Sequence, residues 1–261
     1  MKRLFLLGIV GICIFIMFSG CSKSTRTALD GKIKIYLADK SAAFDAVNIV
    51  VSQVSVHTSD GDSLSGWTVI CDTTQTHDLL ELTNGAMALF ANHQLEPGHY
   101  TQIRLKIGDG SHVIVDGSQY NLRIPSGSES GIKLNHQFQI QEDVTYELLL
   151  DFDAEKSVIN KGNGQYQLKP VIRAVAKATS GSISGTVNPK SVEAFALTDP
   201  DTVAQAHSDT SGYFKLIALP EGSYSVHIVA DDTTYADTTF SDVAVLAGQT
   251  TDQGNIQLRK K

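Results

Sequence analysis

Asp151, Asp153 and Glu155 stand at alternate positions in Leu148-Leu149-Leu150-Asp151-Phe152-Asp153-Ala154-Glu155. On an extended strand, alternate side chains share one face about 7 Å apart. Three carboxylates in such a row repel one another unless a cation or basic side chains neutralise them. Ca2+ is one candidate, and it takes about six to eight oxygens, some of them loop carbonyls. The other is a solvated or ion-paired strand end, with Lys133, Lys156, Lys169, Arg104 and Arg173 as counter-charges. Asp151, Asp153 and Glu155 are therefore the candidate metal ligands; no residue is assigned a catalytic role.

The remaining reactive groups form no pattern. The eight His are scattered without metal spacing; His93 and His99, six apart across a Pro-Gly turn, are expected at the surface. Asp78, Ser126 and His99 compose a triad only on paper, since no GxSxG elbow accompanies the serine. Ser126 to Gly131 (SGSESG) follows a strand with no clear helix after it, so it reads as a loop rather than an anion cradle. Trp67, the single Trp, lies in an apolar strand pattern and is expected in the core. Cys71, in the same run, is expected as a small buried hydrophobe.

Cys21 carries the one covalent chemistry with a clear context. Lys2 and Arg3 precede a charge-free run, Leu4 to Phe18, and Phe18-Ser19-Gly20-Cys21 closes it. A basic start, an apolar middle and small residues before a cut describe an export signal. The run is shorter than the roughly 18 residues of a membrane span. The cysteine after the small pair resembles a bacterial lipoprotein signal. The resemblance implies cleavage before Cys21, lipid on its thiol and amine, and Phe18, Ser19 and Gly20 as the peptidase recognition residues. More than one acyl chain gives stable anchoring at about 0.8 kcal/mol per buried methylene. Residues 1–20 are thus read as signal peptide and 21–30 as a lipidated tether. The expected location is the bacterial cell envelope, at the outer membrane, with the periplasmic and surface faces both open.

The charge balance is 21 basic to 28 acidic residues, −7 overall; without Lys2 and Arg3 it is −9. That argues against nucleic acid and against a polybasic grip on anionic lipid. A hydrophobic content of 42% suffices for packed cores. With Cys13 in the signal and Cys21 lipidated, Cys71 has no partner for an internal disulfide.

The elements that must position these groups read as strands. Ile33, Ile35 and Leu37 alternate with polar neighbours, and Val47 to His57 puts Val50, Ser52, Val54 and Val56 on one face. Trp67 to Cys71, Tyr100 to Ile107, Ile132 to Ile140 and Val144 to Phe152 continue the pattern. His112 to Val115 and Tyr120 to Ile124 suit a hairpin around Asp116-Gly117. Asp78 to Ala91 is ambiguous between a strand, the Asn84-Gly85 turn and a helical turn. Gln165 to Ala178 reads as one strand with an edge or bulge at Pro170. The Ser/Gly passage Thr179 to Gly185 marks a boundary near residue 179. Beyond it lie Ser182 to Val187, Val192 to Leu197, Gly212 to Leu216, Ser223 to Ala230, Val243 to Val245 and Asn255 to Leu258. Many short strands without a long helix predict an all-β chain: two tandem β-sandwiches (Ig-like or transthyretin-like), residues 31–178 and 179–261. An internal echo agrees. Leu95-Glu96-Pro97-Gly98-His99-Tyr100 and Leu219-Pro220-Glu221-Gly222-Ser223-Tyr224 each place a Tyr after a Pro/Gly turn, ring inward and hydroxyl at the rim.

Three further resemblances bear on function. Residues 148–154 look like the strand and DxD of a haloacid-dehalogenase phosphatase, with Asp151 as nucleophile, Asp153 as acid/base and Asp231-Asp232 as distal Mg2+ ligands. That chemistry needs an α/β frame, and helices are missing. Residues 181–258 resemble carboxypeptidase regulatory-like, transthyretin-like domains through Ile183-Ser184-Gly185-Thr186-Val187, Thr210-Ser211-Gly212-Tyr213-Phe214 and Leu219-Pro220-Glu221-Gly222-Ser223-Tyr224. These are accessory sandwiches without catalytic residues. Residues 31–176 resemble a bacterial lipoprotein family known as domain of unknown function 4382. The likeness runs through Tyr36-Leu37-Ala38-Asp39, Phe44-Asp45-Ala46-Val47, Asp78 to Leu82, Asn84-Gly85-Ala86, Pro97 to Leu105, Asp151 to Ala154 and Leu168-Lys169-Pro170. It implies an exported β-rich setting and no established activity. The expectation is a lipid-anchored envelope protein with a non-enzymatic binding or scaffolding role towards a protein or glycan, without a cofactor unless Ca2+ binds. A calcium-stabilised ligand-binding module and an envelope hydrolase are the alternatives.

Overall fold

A computed structural model describes residues 29–40, 42–61, 65–125 and 130–261. Phe18, Ser19, Gly20, Cys21 and Ser126 lie outside the described residues. The chain is all-β. Among the described residues, thirteen strands build the first sandwich: β1 (Gly31–Lys40), β2 (Ala46–Thr58), β3 (Trp67–Cys71), β4 (Gln75–Asp78), β5 (Ala88–Leu95), β6 (Gly98–Ile107), β7 (His112–Val115), β8 (Ser118–Arg123), β9 (Ile132–Ile140), β10 (Thr145–Asp153), β11 (Val158–Gly162), β12 (Gln165–Leu168) and β13 (Ile172–Ala176). Seven build the second: β14 (Ser180–Asn188), β15 (Val192–Thr198), β16 (Asp201–His207), β17 (Tyr213–Pro220), β18 (Gly222–Ala230), β19 (Thr238–Val245) and β20 (Thr250–Gln257). Among the described residues, no helix is long and apolar enough to cross a membrane.

In the first sandwich a four-stranded sheet, β13-β10-β1-β5, faces a larger one, β11-β12-β8-β7-β2-β6-β9, onto which β3 and β4 also pair through β2. The alternation in β1 buries Ile33, Ile35 and Leu37 against Leu148, Leu150 and Phe152 of β10 and against Val47, Ile49, Ile103 and Leu105 of the opposite sheet. In β2 the single apolar face expected from Val50 to Val56 is not what forms. Val47, Ile49 and Val51 point inward; the register then shifts between Val51 and Gln53, and Val54 and Val56 take over. An extra residue at that bulge reverses the parity of the strand.

Gln165 to Ala178 is likewise not one strand. Pro170 cannot donate to a ladder, and the chain breaks into β12 and β13, which belong to opposite sheets. Asp78 to Ala91 resolves into the end of β4, a 3-10 turn at Leu79–Leu82, the Asn84-Gly85 turn and the start of β5. Strands β11 and β16 appear where no strand was expected.

The second sandwich packs a three-stranded sheet, β17-β14-β20, on a four-stranded one, β16-β15-β18-β19. Ile183, Phe214, Leu216, Val226 and Ile228 lie in its core. The repeated tyrosines behave alike. Tyr100 donates its hydroxyl to the Glu96 carbonyl at 3.0 Å and Tyr224 donates to the Pro220 carbonyl at 2.7 Å, four residues back in each case. Both rings are buried. This is the tyrosine corner of sandwich folds.

The outer face of β1, β10 and β13 is not left to solvent. Ala38, Leu149 and Val175 form a third apolar cluster with Ala218 of β17, joined by Tyr36 and Ile217. Asn84, at the turn before β5, donates to the His207 carbonyl at 2.8 Å and accepts from the Lys215 N–H at 3.2 Å. The two sandwiches therefore meet through a packed and hydrogen-bonded junction.

Candidate sites at the sandwich junction and on the outer sheet

β10 is central in its sheet, parallel to β1 and antiparallel to β13, and its apolar run is covered on one face by the first core and on the other by the junction cluster. Its outer face carries Leu149, Asp151 and Asp153 to the junction. Register puts Asp151 opposite Arg173 of β13. Arg173 Nη2 and Nε donate to Asp151 Oδ2 at 2.7 and 3.2 Å, and Nη2 also lies 3.5 Å from the Ile217 carbonyl of the second sandwich. Asp153 is opposite Lys40. Its Oδ2 lies 3.5 Å from Lys40 Nζ and 3.1 Å from Lys156 Nζ, while Oδ1 accepts the Lys156 N–H at 3.1 Å.

That last bond caps a single helical turn, α1 (Ala154–Ser157), which ends the strand. Glu155 falls on this turn and is exposed. The expectation that Asp151, Asp153 and Glu155 share one strand face is thus corrected: the strand stops at Asp153. Asp39, on the inner side of β1, joins the cluster instead. Its Oδ1 accepts the Ala154 N–H at 3.0 Å, and its buried Oδ2 has no partner. Burial, reinforced by Asp151 and Asp153, pushes its pKa up to about 9 against the pull of the Ala154 N–H. Burial also raises Asp151, against the attraction of Arg173 and Lys40. Among the described residues, no group of three or more His, Cys, Asp or Glu is placed to hold a metal ion.

A second site lies in the larger sheet, where β8 and β12 part. β12 and β8 run parallel, but their ladder is only two pairs long, Tyr166 with Leu122 and Gln167 with Arg123. Beyond it lies an open groove of about 710 Å3. Tyr120 and Tyr166, with ring centroids 5.1 Å apart, back it from the core side, Tyr166 buried in the first core and Tyr120 half-buried against it. The Tyr166 hydroxyl accepts from Asn160 Nδ2 at 3.3 Å. Asn121 and Gln167 line its sides, and Arg123 and Lys161 bring two cations. No carboxylate is among the described residues that line it.

A family model described as a domain of unknown function, DUF4382, matches residues 30–170, more than half of the chain. The chain belongs to the DUF4382 family. No curated protein matches it. Among solved structures it is similar to the shaft pilin SpaA from Lactobacillus rhamnosus GG, at 10% identity over 90% of this chain and 98% of that one, with a TM-score of 0.26. GBS52, the minor pilin of Streptococcus agalactiae, matches at 12% identity over 87% and 96%, with a TM-score of 0.24. The Bacillus anthracis TIE protein matches at 13% identity over 89% of this chain, with a TM-score of 0.25; the chain spans about a third of its length, 34%. Scores this low carry no functional argument.

Both sites lie within the DUF4382 region, apart from Arg173 and Val175 on β13, just beyond it, and the groups that the second sandwich contributes to the junction. Other candidate residues of that region are structural. Asp78 Oδ1 accepts the Val47 and Leu80 N–H groups and so caps the turn after β4. His93 and His99 are exposed. Cys71 is half-buried at the core edge, rather than fully buried as expected, and accepts from Gln75 Nε2 at 3.2 Å.

Trp67 is also not a core residue. Strand parity puts it on the side opposite Ile70, where the Arg104 guanidinium lies 4.1 Å above its ring and Lys133 lies 5.6 Å away. In the second sandwich, Asp231 accepts from Ser191 Oγ of the β14–β15 loop, and Asp232 Oδ1 accepts the Thr234 N–H within its own loop. The groove escaped sequence reasoning because a short parallel pairing between β8 and β12 leaves no local signal. Interleaved Tyr, Asn, Gln and Arg in Gln119 to Arg123 and Gln165 to Gln167 was the available hint.

Proposed function

We propose that this DUF4382 chain is a lipid-anchored, non-enzymatic protein of the bacterial cell envelope. Its two sandwiches act as one rigid block that binds or scaffolds an envelope protein or a glycan. The observation that carries this reading is the junction. The acids that a phosphatase or other hydrolase would turn towards substrate, Asp151 and Asp153, are instead bound to Arg173, Lys40 and Lys156. Arg173 continues to the Ile217 carbonyl of the second sandwich. Charged groups used in this way fix the geometry between two modules.

Lipidation at Cys21 is supported by Phe18-Ser19-Gly20 before it and by the apolar run behind them. An anchor at the outer membrane fits both faces of that membrane. The second sandwich fits an accessory role of the carboxypeptidase regulatory-like, transthyretin-like kind. The net charge of −7 favours a partner other than nucleic acid.

Labelling cells with a clickable fatty acid tests the anchor. Wild-type chain is expected to carry label and fractionate with membranes, and Cys21→Ser to lose both; label retained by the variant overturns lipidation at this residue. A hydrolase panel on the purified chain tests the rest. Turnover abolished by Asp151→Asn in a chain that still folds would overturn the non-enzymatic reading.

A further inference from the structure

The groove between β8, β11 and β12 has the chemistry of a ligand site. We propose that it binds a segment of an acidic polysaccharide, one carrying carboxylate or sulfate groups. The inference rests on the binding role proposed above and names its site and ligand class.

Four observations point the same way. The volume, about 710 Å3, lies within the range of ligand pockets. The groove is open along the sheet surface rather than enclosed, which suits a portion of a chain that enters and leaves. Tyr120, half-buried on β8 and backed by the core residue Tyr166, brings one partly open ring to the groove, and an aromatic ring offers an apolar face with a polar rim to the C–H face of a sugar. Neutral amides line its walls, Asn121 and Gln167 among them, and an amide both donates to and accepts from hydroxyl groups.

The charge then selects the class of glycan. The chain as a whole carries 28 acidic against 21 basic residues. This groove nevertheless presents Arg123 and Lys161 with no carboxylate among its described lining residues. Both cations are exposed. Arg123 extends from the ladder end of β8, and its planar guanidinium matches a carboxylate or sulfate in bidentate fashion. Lys161, on β11 across the groove, supplies a second, more mobile charge. Two exposed cations on different strands of one open groove suit a polymer whose acidic groups recur along it.

The test is titration calorimetry on the full chain in mild detergent. The probes are an oligogalacturonate, a sulfated heparin oligosaccharide and neutral maltohexaose. Binding to at least one acidic probe is expected, weakening at least tenfold between 50 and 500 mM salt, with maltohexaose at least tenfold weaker. Arg123→Gln and Lys161→Gln, both surface changes, are each expected to weaken the acidic probe several-fold with unchanged melting. Tyr120→Ala is expected to weaken it without altering the salt slope.

Equal binding of maltohexaose overturns the acidic class. Acidic binding unchanged in the Arg123→Gln/Lys161→Gln double variant overturns the site. Absence of binding to every probe at millimolar concentration overturns the inference as a whole. In that last case, photo-crosslinking from the groove-distal second sandwich in intact cells separates the two readings: a specific envelope partner captured there leaves the broader binding role standing.

Discussion

Asp39 is a buried acid whose second oxygen has no hydrogen-bond partner. Its carboxyl titrates near 9 in the folded chain, chiefly through burial, against about 3.9 for a free Asp. Folding thus takes up a proton between those values. The stabilisation from the neutral acid is complete below about pH 4 and is lost as pH rises towards 9. Asp39→Asn removes the proton while keeping an oxygen for the Ala154 N–H. Urea denaturation at pH 5, 7 and 9 should show the variant gaining on wild type as pH rises, by at least about 1 kcal/mol across the range. Parallel curves would place the alkaline loss elsewhere. Asp151, also raised by burial, titrates with the same sign and persists in the variant, so some pH dependence should remain. The acids on β10 were legible in the sequence as a charged strand end. Asp39 was not, because its partners come from β10 and α1, more than a hundred residues away.

Strands and turns were legible wherever a local rule governs them. The Asp116-Gly117 hairpin forms with both residues at positive φ, 49° and 71°, as a two-residue turn demands. The repeated Pro-Gly-Tyr passages fold into matching corners. Removing either tyrosine hydroxyl, by Tyr100→Phe or Tyr224→Phe, should cost about 1 kcal/mol. The two losses should add in the double variant, since the corners belong to different sandwiches. Thermal melts of the three variants read this directly, and a loss confined to one corner would mean the echo is only a likeness of sequence. Gly212, in Thr210-Ser211-Gly212-Tyr213-Phe214, shows why such a motif constrains residue type. Its φ is +90°, and an added Cβ would fall on the Val187 carbonyl oxygen. Elements set by distant pairing were not legible. The bulge in β2 reverses an alternation that looks continuous in sequence. β16, in Asp201-Thr202-Val203-Ala204-Gln205-Ala206-His207, buries only Ala204 and Ala206, residues too small to announce a strand.

At the scale of the molecule, two cores of ordinary sandwich size are joined by a third, smaller cluster. Leu149 lies at its centre, 3% exposed, against Ala38, Val175 and Ala218. Ala218 keeps a positive φ of 57°, an uncommon conformation for a residue with a Cβ, and that Cβ is spent in the contact. Arg173 and Asn84 add hydrogen bonds across the same junction. Two modules so joined should unfold together, because exposing the cluster is a cost that either module pays on opening alone. The single Trp makes this measurable. Trp67 fluorescence follows the first sandwich, and far-ultraviolet circular dichroism follows both. In the wild-type chain the two signals should trace one transition. Leu149→Glu places a charge in the cluster without reaching either main core, and should weaken the junction by on the order of 3 kcal/mol. The transitions should then separate, with the second sandwich melting apart from the Trp67 signal. Coincident signals in the variant, at the wild-type midpoint, would mean the junction carries little energy, and the rigid block proposed as the scaffold would become two independent modules on one tether.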